Sequence, residues 1–394
     1  MRIVVVGAGI VGAAAAYELA RAGVETVLVD AAHEGRATSA GAGIICPWSG
    51  RVAEPLAVAG AGYYPDLLKA LAEDGQDDVG HRRVGALVLL PADGTEAARV
   101  RERVSARAAA DPHAGEVSVV GAVDAHRMFP ALAPARTHGD EPEDHALGAG
   151  RHRHAFAEEA LHLSGAARLD GRRMRSALVA AAERHGLRVV GGTAAVEVRG
   201  ARVRGVRVDG DVLEADTVVA AAGAWSPALL EPFGVRVPVV PQRGQIVHLG
   251  LSATDTAHWP VVLPGTGHYL LTFDDSRVVV GATRESGTGF DHRVTAAGLG
   301  EVLEQAMAVA PGLARATHLE TRVGFRPTTP DGQPVLGTVS GGSGIPELVV
   351  ANGLGSGGLT AGPFAGAVAA RLALGREPGI DTGPYDPLRF ASSA

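Results

Sequence analysis

The chain opens on "RIVVV" (Arg2 to Val6), where apolar side chains follow one another without alternating with polar ones. Such a run predicts a strand covered on both faces, as in a parallel sheet. It breaks at "GAGIVG", with Gly7, Gly9 and Gly12 in G-x-G-x-x-G spacing, and the pattern then changes to "AAAAYELARAG". This is a helix with an alanine-rich face, stopped by Gly23. A second β-branched run, "ETVLV", ends on Asp30, 18 residues past Gly12. Strand, glycine turn, helix, strand and acid together spell a dinucleotide-binding unit. Gly7 makes the tight turn, Gly9 lets backbone approach a pyrophosphate, and Gly12 lets the helix pack on the strand. The helix opens at Ile10 and Val11, whose free N–H groups and positive dipole end suit phosphates. Asp30 suits the hydroxyls of an adenosine ribose, and an acid there argues against the 2′-phosphate of NADP. A glycine turn without a ligand is the structural alternative, and the four flanking pieces weigh against it. The spacing alone leaves FAD and NAD both open.

Further along, helix periodicity returns in "GRRMRSALVAAAERHG", followed by a strand, hairpin strands, and the strand "ADTVVAAAGAWS" that runs into Gly223. "GHYLLTF", a turn at Asp274-Asp275-Ser276 and "RVVVGATRE" have hairpin chemistry and predict an antiparallel sheet. Near the end, "LVVANGLGSGGLTAGPFAGAVAARLALG" reads as strand, glycine-rich loop and small-residue helix. The loop residues Gly353, Leu354, Gly355, Ser356, Gly357, Gly358, Leu359 and Thr360 repeat the logic of the N-terminus. Backbone N–H groups and a helix dipole there can stabilise negative charge.

Composition narrows the partners. Of 394 residues, 46% are hydrophobic and 20% charged, enough for a sizeable core or two domains. A net charge of −7 gives no basic stripe for nucleic acid or an anionic membrane. Lys69 is the single lysine, and Cys46 the single cysteine, so neither an intramolecular disulfide nor a cysteine metal cluster is possible. His138, His145, His152 and His154 fit no standard ligand spacing, so no metal is expected and the segment 136–155 reads as a polar surface insertion. The first 20 residues superficially look like a secretory signal, but the glycine spacing and Tyr17-Glu18 argue for folded structure. No stretch is long enough to span a bilayer, and a soluble cytoplasmic protein is expected.

Several motifs carry a resemblance. "GRATSAGAGIICPW" has R-x-T-S and a small-residue run just after the ribose-binding acid. "PQRGQ" carries P-x-R-G-Q at Pro241, Arg243, Gly244 and Gln245, and "GFRPTTPDG" carries G-x-R-P-x-T-x-D-G. In these the chain resembles the D-amino acid oxidase, glycine oxidase and D-amino acid dehydrogenase family of FAD enzymes. The resemblance covers most of the chain and is weakest from about residue 90 to 155. It implies that Arg36, Thr38 and Ser39 reach the pyrophosphate, and that Ala42, Gly43, Ile44 and Ile45 line the flavin ring. It also implies that Val196 holds the adenine through its backbone, and that Ala222, Gly223 and Trp225 end the second flavin-binding strand. Cys46 lies far from the position where some relatives attach FAD, so non-covalent FAD is implied. The usual Gly-His of the C-terminal loop is Gly353-Leu354 here, which removes one hydrogen bond near the flavin.

The implied fold is α/β, or α+β in two domains: a Rossmann-like FAD-binding domain and an antiparallel-sheet substrate domain, glutathione-reductase-2-like. Expected segments are 1–85, 156–235 and 320–394 for the first and 86–155 and 236–319 for the second. The implied activity is oxidative deamination of a small amino acid (glycine, an N-substituted glycine or a D-amino acid) by hydride transfer to flavin N5. Arg326 would clamp the substrate carboxylate, because a planar guanidinium matches it bidentately. Tyr269, 12 residues before Gly281, has the spacing of a substrate-binding tyrosine in glycine oxidases. Arg284 follows Gly-Ala-Thr, where the family varies, and with Trp48 and the 90–155 region it is expected to set specificity. Structural alternatives stay open: an ion pair from Arg326 to Glu320 or Asp331, and a purely core role for Tyr269. So do an FAD dehydrogenase of a 2-hydroxy acid or polyol, an NAD-binding dehydrogenase, and a non-catalytic nucleotide-binding module. Oxygen or a quinone as electron acceptor, and assembly as a homo-oligomer, are undecided.

Overall fold

The computed structural model describes residues 1–51, 54–133, 156–200, 202–233, 235–340 and 345–390. The first apolar run becomes Arg2–Val6, an inner strand of a six-stranded sheet. Across that sheet the order is Val335–Val339, Ile345–Asn352, Thr217–Ala220, Arg2–Val6, Glu25–Asp30 and Arg188–Gly191. Five of the strands are parallel, and only Val335–Val339 runs antiparallel to its neighbour. Alternation within the run explains why Ile3 to Val6 are all apolar. Ile3 and Val5 pack towards the helices Ile10–Arg21 and Gly358–Ala373, with Leu28, Val219 and Val349. Val4 and Val6 pack to the other side, with Val196, Val206 and Val208 of a three-stranded sheet. The two helices approach closely because their facing residues are small: a Cβ on Gly366 would lie 2.5 Å from the carbonyl oxygen of Val11.

The second layer is an eight-stranded sheet in the order Thr317–Thr328, Val240–Gly250, Arg277–Gly281, Tyr269–Thr272, Val261–Leu263, Ala86–Pro91, Phe156–Leu163 and Val117–Gly121. Its pairings are antiparallel except that between Val261–Leu263 and Ala86–Pro91. The hairpin expected at Asp274-Asp275-Ser276 joins Tyr269–Thr272 to Arg277–Gly281, with Ser276 at φ 58°. Helix Ala296–Val309 covers part of one face, its Val302 and Ala306 buried against Val247, Val278 and Val280.

Two of the expected segment boundaries do not follow the sheets. Phe156–Leu163 pairs with Ala86–Pro91, and Thr317–Thr328 pairs along its length with Val240–Gly250, so both strands belong to the eight-stranded layer. Their partners lie about seventy residues away along the chain, which local pattern does not reveal. The far end of Thr317–Thr328 also reaches the first layer, where Phe325 N–H donates to the carbonyl of Gly35 at 2.8 Å. That link brings Arg326 beside the dinucleotide-binding unit. No helix among the described residues is long and apolar enough to cross a membrane.

Candidate active site

A cavity of about 400 Å³ runs between the two layers. It begins at the carboxyl ends of the five parallel strands, where Gly7, Ala31, Gly192, Ala221 and Asn352 all line it. This is the edge at which open α/β sheets bind ligands. Gly7 turns at φ 101°, and a Cβ on Gly12 would sit 1.8 Å from the oxygen of Gly7, so helix Ile10–Arg21 can start only on glycine there. On the protein side a Cβ at Gly9 would meet only Thr38 Oγ1, at 3.4 Å, and would otherwise fill the cavity that Gly9, Ile10 and Val11 line. The hydroxyl of Thr38 accepts the Ile10 N–H at 2.9 Å. Asp30 accepts N–H groups from Ala8 at 2.6 Å and Ala32 at 2.8 Å, and Arg36 pairs with it at 3.0 Å; both side chains line the cavity.

A second helix start faces the same space. Leu354, Gly355, Ser356, Gly358 and Leu359 form that wall, and nothing stands within 4 Å of where a Cβ on Gly355 or Gly358 would be. Ala42, Gly43 and Ile44 line the adjoining wall; Gly43 at φ 88° lies so close to Leu169 that a Cβ would sit 1.7 Å from its oxygen. Ala222, Gly223 and Trp225 complete it, with Trp225 stacked between His33 (4.8 Å) and Phe290 (4.9 Å). Bare backbone and two helix N-termini around one long cavity fit a flat ligand carrying phosphates.

Some expected residues stand elsewhere. In the four-residue helix Ala37–Ala40, Thr38 turns to the cavity and Ser39 does not line it; its carbonyl accepts from Arg172. Val196 is buried between the sheets, and Gly192, Thr193 and Ala194 take the wall in its place. Gly12 serves packing alone. Gly353 (φ 70°) and Gly357 shape the loop behind the wall, and Thr360 donates to the carbonyl of Ile44 at 2.8 Å. Trp48 and Cys46 are core residues outside the lining. Trp48 donates to Asp111 at 2.8 Å, and burial pushes the Cys46 thiol up to about 11. The histidines 138, 145, 152 and 154 lie outside the described residues, as do residues 134–155 of the 90–155 segment expected to set specificity. Gly192 to Ala194 had a usable signal: they directly follow a parallel strand. His33, Asn352 and Phe325 carried none.

The other end of the cavity is built from side chains. Arg326, Tyr269 and Arg284 line it together with Ile246 and Phe325. Cross-strand glycines make the room. Tyr269 pairs with Gly281, where a Cβ would fall 2.7 Å from the phenol oxygen, and the Arg326 guanidinium covers Gly244, where a Cβ would fall 2.6 Å from it. Arg326 donates to the carbonyl of Thr283 at 3.0 Å. Burial, opposed by the charges of Arg326 and Arg284, holds the Tyr269 phenol up at about 12. Burial also lowers Arg326, yet a guanidinium starts so high that it stays cationic.

The nearby acids are taken. Glu320 pairs with Arg322, and Asp331 pairs with Arg389 at 2.8 Å. Glu285 is held by Arg243 at 2.6 Å and accepts from Thr283 and Gln245 as well. Among the described residues no carboxylate reaches Arg326, and neither ion pair considered for it forms. Arg243, fully buried and also paired with Asp291 at 2.8 Å, is the strand's structural arginine.

Residues 2–372 match the family described as FAD dependent oxidoreductase (DAO). The chain belongs to that family. As a DAO-family oxidoreductase it is an FAD enzyme, which sets aside the NAD-binding and non-catalytic alternatives, and the cradle just described has the glycines and helix starts that FAD needs. Its similarity to an uncharacterized oxidoreductase, YurR, of Bacillus subtilis is 41% identity over 98% of both chains. A glycine oxidase of Pseudomonas aeruginosa is 32% identical, again over 98% of both. The crystal structure of iminodiacetate oxidase (IdaA) from Chelativorans sp. BNC1 superposes with a TM-score of 0.88, at 42% identity over 98% of this chain and 99% of that one. These matches bear out the expected fold class and the family resemblance.

Proposed function

We propose that this DAO-family enzyme oxidises a small amino acid or N-substituted glycine at the carbon next to nitrogen. Bound FAD supplies the acceptor for the two electrons and the hydrogen removed from that carbon. The amine becomes an imine with loss of two electrons and two protons (a hydride from carbon and a proton from nitrogen), and water hydrolyses the imine to an oxo acid and an amine or ammonia. The observation that carries this reading is Arg326, a half-buried cation facing the cavity with no carboxylate among the described residues to neutralise it. A substrate carboxylate supplies the missing charge and is fixed in one plane by the guanidinium. Tyr269 stays protonated at neutral pH and can donate to the same carboxylate. Among the described residues the lining at this end holds no carboxylate or imidazole that could act as a base. The substrate amine therefore has to react in its unprotonated form. Glycine and iminodiacetate, the substrates in the names of two relatives, are both amines bearing a carboxylate, which supports the same reading.

The test is anaerobic mixing of the flavoprotein with glycine, N-alkyl glycines and D-amino acids while flavin absorbance is followed. At least one should bleach the flavin, and Arg326→Ala should weaken its binding by roughly 2–5 kcal/mol. Bleaching by 2-hydroxy acids alone would move the assignment to alcohol oxidation. Unchanged turnover of every carboxylate substrate by Arg326→Ala would remove the clamp.

A further inference from the structure

The substrate end holds one cation more than a single carboxylate needs. Thr283, Arg284 and Glu285 continue from strand Arg277–Gly281, and side chains alternate along such an extended stretch. Thr283 Oγ1 donates to Glu285 Oε1 at 2.7 Å, and both contact Gln245, so these two share a side. Arg284 projects to the other side and lines the cavity with Tyr269 and Arg326. Glu285, its neighbour in the chain, is already committed to Arg243 and Gln245. Among the described residues Arg284 has no hydrogen-bond or ion-pair partner, and it lies over Gly267, whose absent Cβ would be 3.8 Å from its Nε. Among the described residues two guanidinium groups thus face one space without a counter-ion, and the charge of Arg284 disfavours that of Arg326.

The two stand at different depths, Arg326 half-buried and Arg284 exposed. A carboxylate gripped by the fork of Arg326 has both oxygens in that plane, which leaves Arg284 unneutralised. Resting on the reading of Arg326 given above, we infer that the substrate carries a second carboxylate, on its far side from the first, and that Arg284 binds it. Arg284 is then a specificity-determining residue for amino dicarboxylates, in which the nitrogen lies between the two acid groups or beside one of them.

Iminodiacetate and N-propylglycine test this, because they differ chiefly in whether the distal group is a carboxylate. The wild-type flavoprotein should favour iminodiacetate in kcat/KM. Arg284→Ala should lower kcat/KM for iminodiacetate by roughly 10- to 100-fold, the loss of one charge-assisted contact, and lower that for N-propylglycine by far less, so that the ratio of the two falls. Arg284→Lys should recover part of the loss. A readout without turnover is the flavin spectral shift, or the rise in Tm, on titration with glutarate against butyrate. Glutarate should bind more tightly to wild type, and the difference should vanish in Arg284→Ala. An equal substrate ratio in wild type and Arg284→Ala, or a wild-type preference for N-propylglycine and butyrate, overturns the inference. If neither of these amines nor any other of the amine panel above bleaches the wild-type flavin, the amine-oxidation reading fails, while the anion titration still decides whether Arg284 selects dicarboxylates.

Discussion

The two ends of the cavity are made in different ways. The dinucleotide end is mostly backbone: Gly7, Gly9, Gly43, Gly355 and Gly358 line it where side chains would intrude, and two helix starts present N–H groups. The substrate end is side chain: Arg326, Tyr269 and Arg284 come from the strand Thr317–Thr328, the strand Tyr269–Thr272 and the segment after Arg277–Gly281. The first end recognises a shape and charge common to every dinucleotide, and it depends on the absence of atoms. On the reading proposed above the second recognises one small molecule, and it depends on the register that sets three side chains against each other. The first should break when a methyl group is added, and the second when a charge is removed or displaced.

The largest effect should come from Gly12→Ala. Its new Cβ has a backbone oxygen 1.8 Å away, so helix and strand must separate. A loss of about 3 kcal/mol or more is expected, read as a fall in Tm with loss of bound flavin. A variant that keeps both would mean the helix start is not what holds the cofactor. Gly244→Ala sharpens the contrast from the opposite side. Its Cβ meets the far end of a flexible side chain, so the fold and the flavin spectrum should survive while Arg326 is displaced. KM for the carboxylate substrate should rise by roughly 10- to 100-fold, as expected for a charge-assisted contact spoiled. Normal KM in a stable Gly244→Ala protein would show that the seat of Arg326 does not matter. The smallest change belongs to Tyr269→Phe. With its phenol held up at about 12, Tyr269 is protonated at every pH below about 11 and contributes no limb to the rate profile there. The variant should lose roughly 5- to 10-fold in kcat/KM, the value of one hydrogen bond, with an unchanged profile between pH 6 and 10. A basic limb that disappears in the variant would assign Tyr269 a proton-transfer role instead.

The same contrast explains what could be read in advance. The dinucleotide end was legible from Arg2 to Asp30 because all its parts are contiguous, and each is a statement about local backbone. Errors began where a residue's direction, rather than its place, decided its role. Thr38 and Ser39 are neighbours in one helical turn, and of the two only Thr38 lines the cavity. Val196 sits in the strand expected to touch adenine, yet the chain has already left the cavity edge at Gly192 to Ala194. Residues 156–163 and 317–328 carry ordinary strand patterns, which do not say which sheet a strand will join.

Arg243 and Arg326 mark the limit most clearly. Both are strand arginines in recognisable motifs, and the sequence by itself determined that they would be there, along with the glycines, the alternating apolar faces and the acid at Asp30. Only tertiary structure decided their fates. Arg243 lies opposite Phe325 and meets Glu285 and Asp291, while Arg326 lies opposite Gln242 and meets Gly244, Tyr269 and the open cavity. Charge pairing depends on neighbours brought together from forty to eighty residues apart. Local pattern therefore supplies the cation, and the fold chooses which one is left facing the open cavity.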